Sequence, residues 1–425
     1  MKKLKVAVIG SGSTYTPELI NGFLTRTDRL DVSSFYMMDI DAPKNEIVSS
    51  LAKRMVKAKG LDTPVVVTNN LEETLDGADY VIAQLRVGRL PARILDEKIP
   101  LKYDLVGQET TGAGGFFKAL RTLPVLENIA NIMEKSASPG AWLINFSNPS
   151  GILAEMLTKR GGINSVGLCN APIGFEKHLR SKTNNPADFD YDYVGLNHLS
   201  WITSVIANGK DVLPELLSEE EFMNYASSPD KDFLRAVGGI PSYYLNYFYN
   251  HSKCVEDAKV RATTRGEDCV AIEEDLLKLY QDETLVEKPA LLDKRGGAFY
   301  SEAAVSLVDA IENDLNTIHV VNTNHRGVIP FLAEGDVAEV KCVVGKSGVR
   351  PLPLINPNVN QHIVGLTQGV KAYEKLTVQA GLNGDYNAAL GALLTNPLIG
   401  DARKAKGVFD ELLVAHREYL PRFFA

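Results

Sequence analysis

The stretch Val6-Ala-Val-Ile-Gly-Ser-Gly-Ser-Thr-Tyr-Thr-Pro17 is a short apolar run that leads directly into two glycines. This order is typical of the first strand, turn and helix of a dinucleotide-binding βαβ unit. Gly10 permits the tight turn, and Gly12 lets the backbone approach a pyrophosphate that the next helix N-terminus can bind. Tyr15 departs from the pattern, which has a small residue there. The stretch predicts a Rossmann-like unit.

A second apolar run, Phe35–Met38, is followed by an acid, Asp39. An acid at the tip of the second strand can accept hydrogen bonds from a ribose diol, which favours NAD over its 2′-phosphorylated relative. The alternative is a surface carboxylate that caps a helix. We predict the ribose role.

Composition restricts the class of protein. The chain has 425 residues, 45% of them hydrophobic, so it can bury a large core in two domains or one elaborated one. Its formal net charge of −8 provides no basic field for nucleic acid. No apolar run reaches the roughly 18 residues of a membrane span, and the start does not resemble a signal peptide. The four cysteines lack a CxxC pair. We expect a cytoplasmic protein with free thiols and no nucleic-acid or membrane partner.

The pattern of strands and helices changes along the chain. Up to about residue 190, apolar runs alternate with amphipathic segments, and the predicted strands are Lys5–Ile9, Ser34–Met38, Val65–Thr68, Tyr80–Gln84, Trp142–Phe146 and Ser165–Leu168. Beyond it, Tyr193–Ile206 and Phe331–Val344 alternate like antiparallel strands. We predict an α/β fold in which a Rossmann-like, doubly wound parallel sheet (residues 1–190) packs against an α+β domain (residues 191–425) for substrate, metal and oligomerisation.

Three arginines follow the fourth predicted strand. Arg86, Arg89 and Arg93 lie at the carboxyl edge of the sheet, where ligands of open α/β sheets bind. Guanidinium groups bind phosphate or carboxylate through paired hydrogen bonds. The same segment could be a solvated basic loop. Among the three we favour Arg93 as an anion ligand.

Other polar residues stand near predicted strand ends. The segment Val106–Gly115 contains Glu109 and is too rich in glycine for regular structure, and Asn148 follows the fifth strand. Cys169 and His198 lie in apolar surroundings, and a thiolate with an imidazole suits a divalent transition metal. Taken singly, both are better explained as core residues, and the glycine-rich segment could be a plain turn.

The stretch Gly239–Tyr249 is rich in tyrosine. Most of these side chains fit an aromatic helix packed in the core. One tyrosine could act as a base if neighbouring cations lower its pKa.

Taken together, these segments resemble glycoside hydrolase family 4, the NAD- and Mn²⁺-dependent glycosidases, and most closely its 6-phospho-β-glucosidase members. The resemblance runs from residue 6 to about residue 345. Its motifs are Gly10-Ser-Gly-Ser-Thr-Tyr-Thr-Pro17, Arg86-Val-Gly88, Gly107-Gln-Glu-Thr110, Asn145-Phe-Ser-Asn-Pro149, Cys169-Asn-Ala-Pro172, Gly195-Leu-Asn-His198, Tyr244-Leu-Asn-Tyr247, Lys294-Arg-Gly-Gly297 and Asn322-Thr-Asn324.

The resemblance implies a redox route to the hydrolysis of a 6-phospho-β-glucoside. NAD⁺ would take a hydride from carbon 3 of the sugar, and a base would then remove the proton from carbon 2. Elimination would expel the aglycone, water would add at carbon 1, and the hydride would return to carbon 3. A divalent metal would polarise the ketone as a Lewis acid. The products would be glucose 6-phosphate and the aglycone, with no net turnover of NAD.

The resemblance also implies roles for residues of this chain. The NAD-binding residues would be Gly10, Gly12, Ser13, Thr14 and Asp39. Those that hold the phosphorylated sugar would be Arg93, Asn148, Asn170 and Arg265. Cys169 and His198 would bind Mn²⁺ or another divalent metal. Tyr244 would be the base at carbon 2, assisted by Glu109 through hydrogen bonding, with the adjacent Tyr243 as the alternative base.

Asn170 favours one subgroup of the family. The 6-phospho-α-glucosidases carry an acid directly after the metal cysteine, whereas Asn170 cannot donate a proton as a general acid. The resemblance therefore implies a β-glucoside substrate, with the aglycone and the gluco or galacto preference open. It also implies a homodimer or homotetramer. The alternatives are another family specificity (6-phospho-α-glucosidase or α-galactosidase), an NAD-dependent dehydrogenase of a sugar or hydroxy acid, or a non-catalytic protein that binds NAD or a sugar phosphate.

Overall fold

A nine-stranded sheet organises the described part of the chain, which comprises residues 1–184, 186–220, 222, 231–295 and 299–425 of this computed structural model. Six parallel strands form most of the sheet: β1 (Lys3–Ile9), β2 (Asp31–Met38), β3 (Val65–Thr68), β4 (Tyr80–Ala83), β5 (Trp142–Asn145) and β6 (Asn164–Gly167). Their spatial order, β3-β2-β1-β4-β5-β6, is that of a dinucleotide-binding, doubly wound sheet. The predicted fold class is confirmed.

Seven helices alternate with or follow these strands. They are α1 (Thr16–Leu24), α2 (Ala42–Ala58), α3 (Leu71–Leu75), α4 (Arg89–Leu101), α5 (Gly112–Ser136), α6 (Ser150–Arg160) and α7 (Ala171–Lys182). Local sequence signals set several of their ends. The Asp41 carboxylate caps α2 by accepting a hydrogen bond from the Lys44 amide at 3.3 Å. Proline stands in the first turn of α1, α2 and α7, where its missing N–H costs nothing.

A small antiparallel sheet follows α7. Its strands are β7 (Asp190–Leu196), β8 (Leu199–Ala207), β9 (Lys210–Asp211) and β10 (Ile240–Pro241). We predicted a single strand over Tyr193–Ile206, and the segment instead forms a β7–β8 hairpin whose turn is Asn197-His198. The apolar alternation continues on both sides of this two-residue turn, which hides the turn from pattern analysis.

Three later strands extend the first sheet beyond β6. They are β11 (Thr317–Asn324), β12 (Val337–Gly345) and β13 (Gly348–Pro351), all antiparallel to their neighbours. Asn322 of β11 pairs with Gly167 of β6 and joins the two parts of the sheet. The predicted boundary near residue 190 therefore divides the sequence but not the sheet. The division into domains stays a prediction.

Helices surround the C-terminal strands. In the described part of the chain they are Leu213–Leu216, Lys231–Val237, Asn246–Tyr249, His251–Val260, Arg265–Tyr280, Tyr300–Glu312, Gln361–Asn383, Tyr386–Thr395 and Ala402–Ala415, with 3₁₀ turns at Tyr243–Leu245, Ala290–Arg295, Arg417–Tyr419 and Pro421–Phe423. The helix Gln361–Asn383 packs along α5, where the rings of Phe116 and Tyr373 lie 6.3 Å apart. The two halves thus share one hydrophobic core. A search of the described residues finds no helix with the length and apolar character needed to cross a membrane.

The glycine-rich segment Val106–Gly115 is partly helical. We predicted irregular structure throughout, which was wrong for its last four residues, because α5 begins at Gly112. The glycines of this segment allow α5 to pack closely against α4. A Cβ atom on Gly114 would lie 2.3 Å from the carbonyl oxygen of Gln108 and 2.6 Å from that of Asp96. Only glycine lets α5 start this close to α4.

A buried ionic group also ties α4 to α5 and to the C-terminus. Asp96 of α4 accepts hydrogen bonds from both terminal nitrogens of Arg121 of α5, at 3.0 and 2.7 Å. The Nε2 atom of His416 lies 2.9 Å from the same carboxylate. Each of the three residues is at most 2% exposed. This group holds in place the helix that carries Arg93.

Replacement of Asp96 by alanine is therefore expected to destabilise the fold. Asp96→Ala leaves the Arg121 guanidinium buried without its carboxylate, and breaking a buried ion pair in this way costs about 3–5 kcal/mol. Scanning calorimetry should show a clearly lower unfolding temperature. The control is Asp257→Ala, which breaks an exposed pair with Lys253 and should leave the temperature nearly unchanged. Equal unfolding temperatures for the two variants would contradict the role of the buried group.

Candidate active site

The glycine turn after β1 meets the loop after β4 at the point where the strand order reverses. Gly10 has φ +84°, and a Cβ atom there would lie 2.8 Å from the Cα of Leu85, so glycine is required. The amide of Gly12 donates to the Asp39 carboxylate at 2.9 Å. The Thr14 hydroxyl is buried and finds no hydrogen-bond partner among the described residues. Together the turn at Gly10, the carboxylate of Asp39 and the Thr14 hydroxyl are suited to bind a dinucleotide. The role of Asp39 in binding the ribose stays a prediction.

Glu109 lies at the centre of a basic cluster beside this turn. Its carboxylate accepts hydrogen bonds from Arg86 and, at 2.8 Å, from the Lys118 ammonium group, and it lies 3.0 Å from Nη1 of Arg93. Burial alone would raise the pKa of Glu109, but Arg86, Lys118 and Arg93 outweigh burial and hold it well below its ordinary value. Burial and Arg86 lower the pKa of Lys118 to about 7. Sequence reasoning missed Lys118, which lies within the second turn of α5 and belongs to no motif.

A second group of arginines adjoins this cluster through a buried thiol. The Cys269 sulfur accepts from Nη1 of Arg93 at 3.6 Å and from Nη1 of Arg295 at 3.2 Å. Arg265 donates to the backbone oxygens of residues 294 and 295 at 3.1 and 3.2 Å. The predicted sugar-phosphate residues Arg93 and Arg265 are therefore near one another. Arg295 belongs to the Lys294-Arg-Gly-Gly297 motif, for which the sequence alone predicts no function.

One predicted residue lies apart from this group, and part of one motif is not described. Arg89 is exposed and forms an ion pair with Asp41 at 2.7 Å, outside the basic cluster. Gly296 and Gly297, which complete the Lys294-Arg-Gly-Gly motif, lie outside the described residues.

Cys169 and His198 come together although they belong to different sheets. Cys169 follows β6, and His198 forms the β7–β8 turn at φ +62°. The Sγ and Nε2 atoms lie 3.6 Å apart, and both residues are less than a tenth exposed. Burial lowers the pKa of His198 to about 3, so the imidazole is neutral. Burial, with a contribution from Glu339, raises the pKa of the Cys169 thiol to about 12.

This pair fits one divalent transition metal. With bond lengths typical of zinc sites, about 2.3 Å to sulfur and 2.0 Å to nitrogen, a tetrahedral angle places the two donors about 3.5 Å apart, close to the observed separation. No group of three or more His, Cys, Asp or Glu side chains suited to a metal occurs in the described part of the chain. A site with two protein ligands leaves positions for the oxygens of a substrate.

Tyr244 lies against His198. The ring centroids are 3.8 Å apart with an interplanar angle of 21°, and Tyr243 stacks on the other side of Tyr244 at 4.4 Å. We predicted that most of these tyrosines pack in a core helix. The segment instead starts as the 3₁₀ turn Tyr243–Leu245, and Tyr243 is 45% exposed. Tyr244 thus packs against the polar side chain of His198 and not within an apolar core.

The two predicted asparagines stand at the ends of neighbouring strands. Asn148 is half-buried and follows β5, while Asn170 follows Cys169 at the N-terminus of α7. Because β5 and β6 are paired and parallel, both asparagines belong to the same edge of the sheet as Cys169. The structure thus brings the predicted residues to one edge, and their roles stay predictions.

Two family models match nearly the whole chain. The model described as "Family 4 glycosyl hydrolase" matches residues 5–185, and that of the "Family 4 glycosyl hydrolase C-terminal domain" matches residues 193–399. The chain belongs to glycosyl hydrolase family 4. The resemblance inferred from the motifs is confirmed.

Similar proteins of family 4 cover the full length of the chain. A "Probable 6-phospho-beta-glucosidase" of Bacillus subtilis is 39% identical over 100% of this chain and 98% of its own. A "6-phospho-beta-glucosidase" of Escherichia coli is 36% identical over 99% and 97%. The 6-phospho-beta glucosidase of Thermotoga maritima, solved with manganese, NAD⁺ and glucose-6-phosphate, is 36% identical with a TM-score of 0.89, covering 98% and 99%.

Removal of either proposed metal ligand is expected to weaken Mn²⁺ binding. Cys169→Ser and His198→Ala should each reduce the affinity for Mn²⁺ more than about tenfold, because each removes one of two protein donors. Titration followed by electron paramagnetic resonance measures the free ion directly. Cys342→Ser, at a buried cysteine of β12, is the control and should leave the affinity unchanged. Wild-type affinity in both ligand variants would show that the metal binds elsewhere.

Proposed function

We propose that this family 4 enzyme hydrolyses 6-phospho-β-glucosides to glucose 6-phosphate and an aglycone, with NAD and a divalent metal such as Mn²⁺. The observation that carries the proposal is the convergence of three features at one sheet edge. These are the glycine turn at Gly10, the Cys169–His198 pair and the basic cluster around Glu109. The names of the relatives and the ligands of the T. maritima structure support the same activity.

Bound NAD supplies a hydride acceptor for carbon 3 and the metal supplies a Lewis acid, which together make the proton on carbon 2 acidic. The task of the protein is then to remove that proton. Tyr244 is the proposed base, because its ring stacks on the proposed ligand His198. Burial first, then Tyr243 and Cys169, raise the pKa of Tyr244 well above its ordinary value, so positive charge near the hydroxyl is needed for it to ionise.

Glu109 is proposed to assist this base through hydrogen bonding. Its negative charge contributes to the raised pKa of Tyr244 and so opposes ionisation, which leaves its capacity as a hydrogen-bond acceptor as the source of assistance. The three cations around Glu109 keep its carboxylate ionised, because they hold its pKa well below the ordinary value. The proposed role of Glu109 is therefore that of an ionised hydrogen-bond acceptor, without proton transfer to its own carboxylate.

Arg93 and Arg265 are proposed to hold the sugar phosphate, together with Asn148 and Asn170. Arg93 is within reach of two carboxylates and one thiol, yet it belongs to a cluster with an excess of positive charge. Guanidinium groups recognise a phosphate dianion through paired, charge-assisted hydrogen bonds. The amides of the asparagines add neutral donors for the sugar hydroxyls.

Asn170 supports a β-glucoside as the substrate. It follows the proposed ligand Cys169 directly and stands at the N-terminus of α7. An amide cannot protonate a leaving group. Asn170 therefore favours substrates whose aglycone departs without protonation by residue 170. An acid here would favour the α-configured subgroup.

We also infer a cytoplasmic homodimer or homotetramer with an NAD-binding region at residues 1–190 and a substrate region at 191–425. A phosphorylated sugar carries charge and does not cross a lipid bilayer unaided, which supports an enzyme in the compartment where the sugar is phosphorylated. The family resemblance supports the assembly. The two family models end and begin on either side of the proposed boundary, which supports the division.

Cleavage of a chromogenic β-glucoside 6-phosphate in deuterated water tests the proposed reaction. We expect activity only with added NAD⁺ and Mn²⁺, and deuterium at carbon 2 of the released glucose 6-phosphate, because that proton is removed and replaced in every turnover. Mass spectrometry and proton NMR detect the label. Cleavage without exchange and without dependence on NAD⁺ would indicate direct displacement and contradict the proposal.

Paired tyrosine variants test the identity of the base. Tyr244→Phe should lower kcat by at least about a hundredfold, the scale of general-base catalysis, with NAD affinity within twofold of the wild type. Tyr243→Phe is the matched control. The Tyr243 ring is 45% exposed and stacks on Tyr244, with which its hydroxyl shares a hydrogen bond, and this variant should lower kcat far less than Tyr244→Phe. The reverse order of effects would assign the base to Tyr243.

A further inference from the structure

A buried carboxylate without a cationic partner lies behind the proposed metal ligands. Glu339 of β12 is 1% exposed. It accepts hydrogen bonds from the Tyr193 hydroxyl at 2.8 Å and from the side-chain amides of Asn197 and Asn322 at 3.0 and 3.2 Å. No lysine, arginine or histidine of the described ranges lies within ion-pair distance of Glu339. Burial of a carboxylate in this way is costly unless a positive charge compensates it.

The hydrogen bonds of Glu339 lead to both proposed ligands. Asn197 precedes His198 in the hairpin turn, and its side chain also donates to the Cys169 sulfur. Asn322 donates to Glu339 and lies 3.4 Å from the carbonyl oxygen of Gly167, at the end of the strand that leads to Cys169. Glu339 therefore contacts the His198 segment directly through Asn197, and it reaches the Cys169 segment through Asn322 of β11, which bonds Gly167.

The two amides are oriented by this carboxylate. Both turn their nitrogens towards Glu339, and the Oδ1 atoms of Asn197 and Asn322 are buried without a hydrogen-bond partner in the part of the chain that the structure describes. Buried amides normally satisfy both ends. Unpaired acceptors on both sides of Glu339 indicate that the carboxylate decides the orientation of these groups.

We propose that Glu339 is a positioning residue of the metal site, which fixes the Cys169 and His198 segments through Asn322 and Asn197 and balances the charge of the bound cation. This inference depends on one part of the proposed function, namely that a divalent metal binds to Cys169 and His198. A divalent cation with one thiolate and one neutral imidazole retains one positive charge, and a buried carboxylate close by offsets it. Replacement of a group that orients metal ligands in this way commonly lowers metal affinity by about 10–100-fold.

Mn²⁺ titration of matched variants tests the proposal. Glu339→Gln keeps the shape and removes the charge, and we expect its Mn²⁺ affinity to fall by about 10–100-fold, measured by electron paramagnetic resonance. Glu339→Asp keeps the charge and should retain more of the affinity than Glu339→Gln. With Co²⁺ as the probe, Glu339→Gln should show a weaker thiolate-to-cobalt charge-transfer band. NAD affinity should stay within twofold in all variants.

The control is Asp192→Asn on the neighbouring strand. Asp192 is also a buried carboxylate, 2% exposed, but it accepts from the backbone amides of Ile355 and Asn356 at 2.7 and 2.8 Å. This variant should lower the unfolding temperature without changing Mn²⁺ affinity. A similar loss of affinity in Asp192→Asn and Glu339→Gln would show that both changes act through general destabilisation and would overturn the proposal.

The outcomes separate this inference from the proposed function. Wild-type Mn²⁺ affinity in Glu339→Gln, together with loss of affinity in Cys169→Ser, would overturn the role of Glu339 alone. Unchanged affinity in both variants would remove the Cys169–His198 site and the inference with it. If Glu339→Gln does not fold, Asn322→Ala interrupts the same link, and unchanged Mn²⁺ affinity in that variant would also overturn the proposal.

Discussion

The parallel pairing of β4 with β1 and β5 is the constraint on which the site depends. Parallel strands end at one edge, so each loop that leaves this edge delivers its residues to the same crevice. Gly10, Arg86 and Asn148 come from three separate loops of the chain and follow three adjacent strands. The close approach of the Gly10 turn to Leu85 fixes the spacing at the strand reversal. The rest of the chemistry is arranged around this point.

Charge is the second organising element of the site. Glu109 is surrounded by Arg86, Arg93 and Lys118, and the group lies in a largely buried position. Removal of water makes such interactions strong, but it also makes every unbalanced charge costly. The cluster retains an excess of positive charge, which a phosphate group can offset. The same reasoning applies with opposite sign to Glu339, whose negative charge has no partner in the described protein.

The sequence predicted the parallel sheet well because each strand carries its own local signal. The predicted strand Val65–Thr68 matches β3, and the glycines of the first turn are required by their surroundings. The hairpin turn at His198 was missed, because the apolar alternation continues through it. The helix start at Gly112 was missed, because the nearby Gly114 permits close packing against α4 and does not mark irregular structure.

Site residues with a motif were easier to find than those that depend on tertiary packing. Cys169 and His198 stand out as polar residues in apolar segments, and the structure places them in contact. Lys118 and Glu339 carry no local signal, since a lysine in a helix and a glutamate in a strand are common. Their significance appears only when distant elements bring partners to them.

The proposed metal ligands Cys169 and His198 come from two different sheets, so metal binding would also affect the stability of the molecule. Cys169 follows a strand of the large sheet, whereas His198 is the turn of the small one. A cation bound to both residues would act as a reversible cross-link between the two sheets. At a free concentration of 100 times its Kd, such a cation would stabilise the folded state by about 2.7 kcal/mol. Metal supply would then govern how long the enzyme persists, as well as how fast it works.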